Sequence, residues 1–499
     1  MNTPTRATYY RRRAVVLVGL LALSACGVQA GQKVASGTTP KRQDSNILGS
    51  DVTPPTSAPA TTTAAAVPPA DVQINGSDGS EVDNVIGNAV SDLQDWWKTQ
   101  FPKAYGGDYQ PISGGLYAID SSTDASTVPC ATSSDISALL NNAFYCPNGD
   151  AVVWDQESFM PQLAKQYGDF TVAMVIAHEW GHAIQNRAQF SAPSVITELQ
   201  ADCFAGAWTK HVSDGESKRF SITTSDLDTA ITGILALRDA PGGAADDQMA
   251  HGSGFDRVGA FQDGFEDGVT RCAEFRDGDP APYEFPYSDP GDANANGNLQ
   301  LTGTTDEPGI TDLVFPSLKA YWTDTFPKLS TDGKAWDPLG DPVAFSPDDP
   351  PTCGGKSTSG SSVFVCIPDR FVGYDAQDTI PQIYQQGGDF AVATLFATRY
   401  GLDAVHQLGT AKDDASAALQ GDCLAGSWAA ALLPPNPPES YQLVLSPGDL
   451  DEGVAVLMQT SSSGGSGSAN GGGDAFQRVK AYRTGVIKGA DACLSLEAG

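Results

Sequence analysis

The chain has 499 residues, and its 29 Lys and Arg against 60 Asp and Glu give a formal net charge of −31. This length allows roughly two to four domains with well-buried cores. The acidic balance argues against a nucleic-acid partner, because nucleic-acid-binding surfaces neutralise phosphates with Lys and Arg. It also disfavours adsorption to an anionic lipid surface. We therefore expect a globular protein that binds no nucleic acid and does not span a membrane several times.

Residues 1–25 have the organisation of a bacterial export signal. Three arginines at 11–13 precede an apolar run at 14–25, which is shorter than the roughly twenty residues that span a bilayer. The small residues before Cys26 resemble a lipoprotein signal, in which this cysteine is lipidated and becomes the mature N-terminus. The alternative is an ordinary signal peptide that happens to contain a cysteine. The sequence predicts an exported protein, lipid-anchored to the outer face of the bacterial cell membrane.

Residues 26–82 form a segment rich in Thr, Ala, Pro, Ser and Gly with few large apolar side chains. Such a composition cannot bury enough apolar surface to offset the entropy lost on ordering the chain. The segment is therefore predicted to be a disordered tether that carries the rest of the chain away from the membrane.

An internal repeat is the strongest organisational signal in the chain. The stretch that starts at Cys146 aligns without a gap with the stretch that starts at Cys366, and 20 of 63 aligned positions are identical. We interpret this as two tandem copies of one domain, at residues 83–288 and 310–499. A linker rich in Gly, Asn and Asp, residues 289–309, joins them.

Each predicted copy contains four cysteines at matched places, which in an exported protein indicates two disulfides per copy. Four cysteines allow three pairings, and we favour the one that closes local loops. The favoured pairs are Cys130–Cys146, Cys203–Cys272, Cys353–Cys366 and Cys423–Cys493. The eight cysteines pair evenly, which leaves Cys26 for a lipid.

The first copy contains a metal-binding motif, His178-Glu179-Trp180-Gly181-His182. Residues four apart share one face of a helix, so both imidazoles can bind a single metal ion. Glu179 lies beside them, placed to take a proton from a water molecule held by the metal and to pass it to a leaving amine.

A catalytic zinc ion usually has three protein ligands, so a third residue is expected. Glu198 and Asp202 follow His182 at a distance and share a helix face at i and i+4. We assign Glu198 as the third ligand and Asp202 as the residue that orients a ligand imidazole. The alternative assignment makes Asp202 the ligand.

These motifs, together with FYCPNGDAVVWD at residues 144–155 and His251-Gly252-Ser253, resemble the bacterial neutral zinc metallopeptidase family over roughly residues 85–275. The resemblance implies an α+β, zincin-like metallopeptidase domain, mainly helical with a small sheet, and a Zn²⁺ cofactor. In zincins the peptide substrate lies along an edge strand of the sheet. The resemblance therefore suggests residues 151–154 as that strand.

The second copy lacks every residue proposed to bind the metal. At an offset of 220, the motif residues and Glu198 are replaced by Thr398, Arg399, Leu402 and Ala418. We interpret residues 310–499 as a degenerate, non-catalytic metallopeptidase-like domain. It could shape the cleft, restrict substrates or dock a protein partner.

Comparison of the copies also bears on two further residues. Asp202 is retained as Asp422 without a histidine partner, which indicates that Asp202 also makes a structural hydrogen bond. His251 aligns with Gly472, so a histidine present only in the motif-bearing copy is a candidate donor to the developing oxyanion. The equal alternative for His251 is a plain surface histidine.

The leading functional hypothesis is a cell-envelope zinc metallopeptidase, an endopeptidase that hydrolyses peptide bonds in a protein or peptide substrate. The main alternative is a non-catalytic binding or scaffold lipoprotein built on the same fold. A third reading is that the site hydrolyses a cell-wall amide instead of a protein.

Overall fold

The computed structural model describes residues 47–50, 71–239, 251–283, 298–433, 437–460 and 474–498. The described chain is a mixed α+β protein in which helices predominate. The export signal predicted at residues 1–25 and the lipidation site predicted at Cys26 lie outside the described residues. None of the described helices combines the length and the hydrophobicity needed to cross a bilayer.

The N-terminal half, residues 71–283, combines a small sheet with a set of long helices. After a short strand that precedes both halves, β1 (Ile47–Ser50), its elements are α1 (Glu81–Tyr105), β2 (Gly115–Ile119), β3 (Ala143–Cys146), β4 (Ala151–Asp155), α2 (Phe159–Tyr167), α3 (Asp169–Ala188), α4 (Ser194–Ser213), α5 (Thr224–Ala236) and α6 (Gly254–Ala273).

The C-terminal half, residues 298–498, has a similar order of elements. They are α7 (Ile310–Leu329), β5 (Val343–Phe345), β6 (Thr352–Cys353), β7 (Lys356–Ser357), β8 (Val363–Cys366), β9 (Phe371–Asp375), α8 (Thr379–Gly387), α9 (Asp389–Leu408), α10 (Asp414–Ala431), α11 (Asp449–Gln459), α12 (Asp474–Lys488) and α13 (Ala490–Cys493).

The sheet of the N-terminal half has the order β2-β4-β3, with β4 parallel to β2 and antiparallel to β3. The expectation that residues 151–154 form an edge strand is therefore wrong, because they belong to the central strand β4. All five residues of β4 are buried, as is typical of a strand covered on both faces. The edge strand beside the metal-binding motif is β3, which hydrogen-bonds to α3.

Helix α3 passes through the core of the N-terminal half, and every residue from Phe170 to Gln185 is buried. A helix that is buried on all sides places its polar side chains in a medium of low polarity, where each must find a partner. Gly168 separates α2 from α3 at φ 83°, a left-handed conformation that glycine adopts without strain. The motif residues are thus held inside the core and not on its surface.

Helices α4 and α6 pack with their backbones in direct contact. A Cβ atom at Gly206 would lie 2.0 Å from the carbonyl oxygen of Phe261, and one at Gly264 would lie 1.7 Å from that of Cys203. Only glycine permits so close an approach. The Cys203–Cys272 disulfide joins the same two helices.

The sheet of the C-terminal half repeats this arrangement, with the order β5-β9-β8 and the same parallel and antiparallel pairings. Strand β1 pairs antiparallel with the outer edge of β8, so the corresponding edge is covered in this half. The disulfides have the pairing favoured from the sequence, namely Cys130–Cys146, Cys203–Cys272, Cys353–Cys366 and Cys423–Cys493.

The two halves contact each other through reciprocal carboxylate-to-helix contacts. In each, an aspartate of one half accepts hydrogen bonds from backbone N–H groups at the start of a helix in the other half, where the helix dipole favours negative charge. The contacts are Asp451 with Gly254 (2.9 Å) and Phe255 (2.7 Å), and Asp228 with Ala475 (3.4 Å) and Phe476 (3.1 Å).

Part of the predicted tether differs from the expectation of disorder, and part of the predicted linker contacts the C-terminal half. Within residues 26–82, β1 belongs to a sheet, and the N–H of Asn75 donates to the carbonyl of Leu116 beside β2. Within residues 289–309, the N–H of Leu299 donates to Asp389 of α9. Composition failed to predict these contacts because strand edges and buried carboxylates accept backbone hydrogen bonds from almost any residue type.

Candidate metal centre

The two histidines of the motif face the same point in the core. One turn of α3 separates His178 from His182, and their Nε2 atoms lie 3.2 Å apart. Only 5% of His178 and 9% of His182 is exposed. Two buried imidazole nitrogens at this distance need either a shared proton or a shared metal ion.

The third side chain comes from α4, where the carboxylate of Glu198 approaches both histidines. Its Oε2 lies 3.2 Å from Nε2 of His178, and its Oε1 lies 3.5 Å from Nε2 of His182. Around a tetrahedral zinc ion with bonds of about 2.0–2.1 Å, donor atoms are separated by about 3.3 Å. Oε2 of Glu198 is buried and has no hydrogen-bond partner among the described residues. The three side chains therefore fit a zinc ion.

Each histidine is held at its other ring nitrogen. Nδ1 of His178 lies 2.8 Å from Oδ1 of Asp202, and Nδ1 of His182 lies 2.8 Å from Oε1 of Gln185. An oxygen acceptor at Nδ1 favours the tautomer that has its proton there, which leaves the Nε2 lone pair for a metal. Two nitrogens and one carboxylate oxygen are a typical zinc donor set.

The charges around the histidines are also those of a cation site. Burial lowers the pKa of His178, but the carboxylates of Asp202, Glu198 and Glu179 together outweigh burial and raise that pKa to about 10. For Glu198, burial raises the pKa, but the two imidazoles hold it well below the ordinary value. The lowered pKa values of Glu198 and Asp202 keep these two carboxylates ionised, so the site attracts positive charge.

Asp202 has a second partner in addition to His178. Nε and Nη2 of Arg257, on α6, donate to its two oxygens at 2.8 and 2.9 Å. The C-terminal half contains the same pair, Asp422 with Arg478, at 2.8 and 3.3 Å. This explains why the aspartate is present in both halves: it forms a buried ion pair, and only in the N-terminal half does it also orient a histidine.

Glu179 links the metal-binding motif to the sheet. Its Oε2 accepts a hydrogen bond of 2.9 Å from the backbone N–H of Tyr145 on the edge strand β3. The side chain is buried, and burial raises its pKa. A carboxylate with a raised pKa is suited to accept a proton and return it.

The corresponding positions of the C-terminal half hold a different cluster. Nε of Arg399 donates to the carbonyl of Val363 on β8 at 3.1 Å, and Nη1 donates to Thr398 at 2.8 Å. Leu402 and Ala418 offer no ligand atoms. Within the described residues, a histidine-containing cluster with metal-binding geometry occurs only in the N-terminal half.

His251 is buried, with 9% of its surface exposed, so the surface-histidine alternative does not describe it. Its Nδ1 lies 3.0 Å from Oδ1 of Asp239, and its backbone N–H donates to Oδ2 of the same residue. The next residue, Gly252, packs against Val195 and Leu199 of α4. The loop thus lies against the helix that carries Glu198.

Sequence reasoning missed two residues of the site, Gln185 and Tyr145. Gln185 holds His182 and donates to the carbonyl of Thr197 at 2.6 Å. It lies three residues after His182 on the same helix face, and the aligned residue is Val405. The replacement of Gln185 by Val405 in the half that lacks the ligands could have indicated a role for Gln185 in the site. No signal in the sequence marks the backbone N–H of Tyr145.

The family described as "putative neutral zinc metallopeptidase" matches residues 44–275. This range contains His178, Glu179, His182 and Glu198 together with their partners Asp202 and Arg257.

The chain is also similar to proteins of unknown activity. It is 31% identical over 158 residues to "Uncharacterized protein YpfJ" of Escherichia coli strain K12, which covers 26% of this chain and 53% of that protein. It is 31% identical over 151 residues to "Uncharacterized protein Rv2575" of Mycobacterium tuberculosis strain H37Rv, covering 25% and 52%. The chain thus spans about half the length of these curated relatives. No solved structure matches it.

Proposed function

We propose that this protein is a zinc-dependent metallopeptidase that hydrolyses peptide bonds in a protein or peptide substrate. The observation that carries the proposal is the convergence of His178, His182 and Glu198, with donor atoms 3.2–3.5 Å apart and Glu179 beside them. The family match over residues 44–275 supports the same chemistry.

Zinc, when bound there, would polarise the scissile carbonyl and make water more acidic. Glu179 takes the proton from the attacking water and delivers it to the leaving amine. The hydrogen bond from Tyr145 fixes one carboxylate oxygen and leaves the other for this proton transfer. Asp202 and Gln185 hold the two imidazoles in the tautomer that ligates the metal.

The substrate backbone is proposed to lie along the edge strand β3. This strand is paired with β4 on one side, and its Tyr145 N–H points to Glu179 on the other. An extended peptide beside β3 would therefore run past the general base. In the C-terminal half, the aligned edge of β8 is occupied by β1.

His251 is proposed to stabilise the oxyanion that develops on the scissile carbonyl. Asp239 engages its Nδ1, so Nε2 donates to the oxyanion in the imidazolium form of the ring, in which both nitrogens carry protons. The loop of His251 packs on α4, the helix of Glu198, so the ring can be held at a fixed distance from the ligands.

The C-terminal half is proposed to be a degenerate tandem copy of a zincin-like domain that serves as a non-catalytic partner. The similar order of elements, the retained Asp422–Arg478 pair and the matched disulfides support this interpretation. It is the part of the chain that could dock a protein partner.

We also propose that the chain is exported and anchored by a lipid on Cys26, at the outer face of the cell membrane. The support is the sequence of residues 1–26 and the four disulfides, which form in oxidising compartments. Substituting Cys26→Ser should release the protein from the membrane fraction and abolish labelling by a radioactive fatty acid. Retention of the label would contradict lipidation at this cysteine.

The decisive experiment measures bound zinc per chain by mass spectrometry and peptide cleavage on the same preparations. We expect one zinc ion per chain, lost in His182→Ala and retained in Glu179→Gln, with cleavage lost in both variants. A folded, disulfide-bonded protein without zinc would refute the proposal. Peptides and cell-wall fragments are offered in parallel, since cleavage of an amide in the wall fragments alone would mean a different substrate class.

A non-catalytic scaffold is the second candidate function. The observation that favours it is the C-terminal half, which keeps the same arrangement of helices and strands without the ligands. In that case the Glu179→Gln protein would bind zinc and would be indistinguishable from the parent in cells. A loss of biological function in this variant would exclude the scaffold.

A further inference from the structure

A second cluster of potential metal ligands lies in the C-terminal half, remote in sequence from the zinc ligands. Asp389 begins α9, and Asp449 and Glu452 lie in the first turn of α11. One carboxylate oxygen from each residue lies within 4.8 Å of the others. Asp389 and Asp449 are buried, with 3% and 4% of their surfaces exposed.

One carboxylate oxygen of this cluster, Oδ1 of Asp449, is the observation that points to a bound ligand. Oδ2 of Asp449 accepts the backbone N–H of Ser446 at 2.7 Å, but Oδ1 is buried and unpaired among the described residues. An unpaired buried carboxylate oxygen costs free energy unless a cation or a donor reaches it. A cavity of about 150 Å³ lies beside the cluster and is lined in part by Asp389, Asp449 and Leu299. There is room for a cation with water molecules.

A fourth polar group faces the same point. The terminal amide of Asn298 lies 2.9 Å from Oε1 of Glu452 and 3.2 Å from Oδ1 of Asp389. Its nitrogen donates to both carboxylates, so Asn298 holds Asp389 and Glu452 next to each other and offsets part of their negative charge.

In the described part of the chain, no ion pair joins the carboxylates of the cluster to a Lys or Arg side chain. Backbone donors offset part of the charge: the N–H of Leu299 donates to Asp389, and that of Phe390 donates to Glu452.

The titration behaviour agrees with this excess of negative charge. Burial, followed by the charge of Asp389, raises the pKa of Glu452 to about 9. Burial also raises the pKa values of Asp389 and Asp449.

We propose that the carboxylates of Asp389, Asp449 and Glu452 bind one calcium ion in the C-terminal half. All three ligands offer oxygens, which bind hard cations in preference to metals that favour nitrogen or sulfur. The ligand oxygens lie within 4.8 Å of one another, and a cavity lined in part by Asp389 and Asp449 leaves room for water ligands, which suits calcium better than magnesium, because magnesium requires a compact octahedron. The ion would join α9 and α11.

The N-terminal half lacks this site, which provides a matched control. Two of the three acidic residues have counterparts there: Asp169 aligns with Asp389, and Asp226, near the start of α5, aligns with Asp449. The third does not, because Thr229 takes the place of Glu452. The hydroxyl of Thr229 donates to the carbonyl of Ser225.

The test uses the full chain stripped of calcium, with calcium binding measured by calorimetry and terbium luminescence. The ring of Tyr384, whose hydroxyl donates to the carbonyl of Leu299, can sensitise a bound terbium ion. We expect one calcium ion per chain, a melting temperature that rises with calcium, and a response to magnesium at least about tenfold weaker in affinity.

The variants Glu452→Gln and Asp449→Asn should weaken calcium binding by at least about tenfold, because each removes one negative ligand. Both should remain folded, since removing one of three crowded buried charges does not destabilise the calcium-free protein. Asp169→Asn should bind calcium like the parent, and zinc content should be unchanged in all three variants. Absence of saturable calcium binding, equal affinity for magnesium, or equal affinity in Glu452→Gln would overturn the proposal. None of these outcomes bears on the zinc site.

Discussion

The carboxylate of Asp451, in the C-terminal half, accepts the backbone N–H of Gly254 at the start of α6 in the N-terminal half, at a distance of 2.9 Å. The same helix carries Arg257, whose guanidinium group donates to the carboxylate of Asp202. That carboxylate also engages Nδ1 of His178, a proposed metal ligand. A residue of the C-terminal half thus fixes the end of a helix that reaches the metal ligands through two side chains. We therefore expect the position of the proposed zinc ligands to depend on the contact between the halves.

Asp451→Asn tests this dependence, with Asp228→Asn as the matched control. Both changes remove the negative charge from a carboxylate-to-helix contact between the halves and should lower the free energy of unfolding by about 1–2 kcal/mol, with the larger loss in Asp451→Asn, which also breaks the ion pair with Arg238 at 3.1 Å. Only Asp451→Asn should also lower kcat/KM, by about tenfold, because α6 positions the zinc site whereas α12 does not. Thermal unfolding and peptide cleavage measure the two effects. An equal loss of activity in both variants would refute a specific role of Asp451.

Asp202→Asn should weaken zinc binding by about 10–100-fold, because a neutral amide holds the His178 imidazole less firmly than a carboxylate does. Asp422→Asn removes the equivalent partner of Arg478 in the C-terminal half and should lower stability to a similar extent. Competition with a zinc-binding dye gives the affinities. If Asp422→Asn weakened zinc binding as much, the effect would be one of general stability.

Glu179→Gln should leave zinc content unchanged and lower kcat by about 10²–10⁴-fold, the range for loss of a general base. The Gln side chain keeps a carbonyl oxygen for the N–H of Tyr145, so the local structure is preserved. Cleavage of a labelled peptide and metal analysis on one preparation measure both properties. Activity close to that of the parent would mean that another group takes the proton.

Removal of calcium should make stability depend strongly on pH. Because the folded-state pKa of Glu452, about 9, is above its ordinary value near 4.5, the folded state binds more protons between these values. The calcium-free protein should therefore lose stability as pH rises from about 4.5 to 9, helped by Asp389 and Asp449, whose pKa values are also raised. The other titratable groups that interact with this cluster include Asp451 and the hydroxyls of Tyr384 and Tyr482.

Chemical denaturation across this pH range, with and without calcium, measures the effect. Calcium should flatten the profile, since a bound cation replaces the protons, and Glu452→Gln should flatten it without calcium. A calcium-free profile that rises with pH would contradict the assignment of these charges.

Much of the metal centre could be predicted from the sequence because its decisive spacing is local. His178 and His182 are one helical turn apart, and this spacing alone brings their imidazoles to one face. Glu198 and Asp202 share a face for the same reason. The cysteine pairing followed from loop length and from matched positions in the two predicted copies.

Only the tertiary structure decided the contacts between residues distant in the chain. It placed β4 in the centre of the sheet and β3 at the edge beside Glu179, it paired Asp202 with Arg257, and it joined Asp389 to Asp449 and Glu452. A helical spacing is set by the backbone geometry of one element, whereas these contacts depend on how several elements pack. The sequence by itself thus determined which residues can bind a metal, and the packing determined which groups surround them.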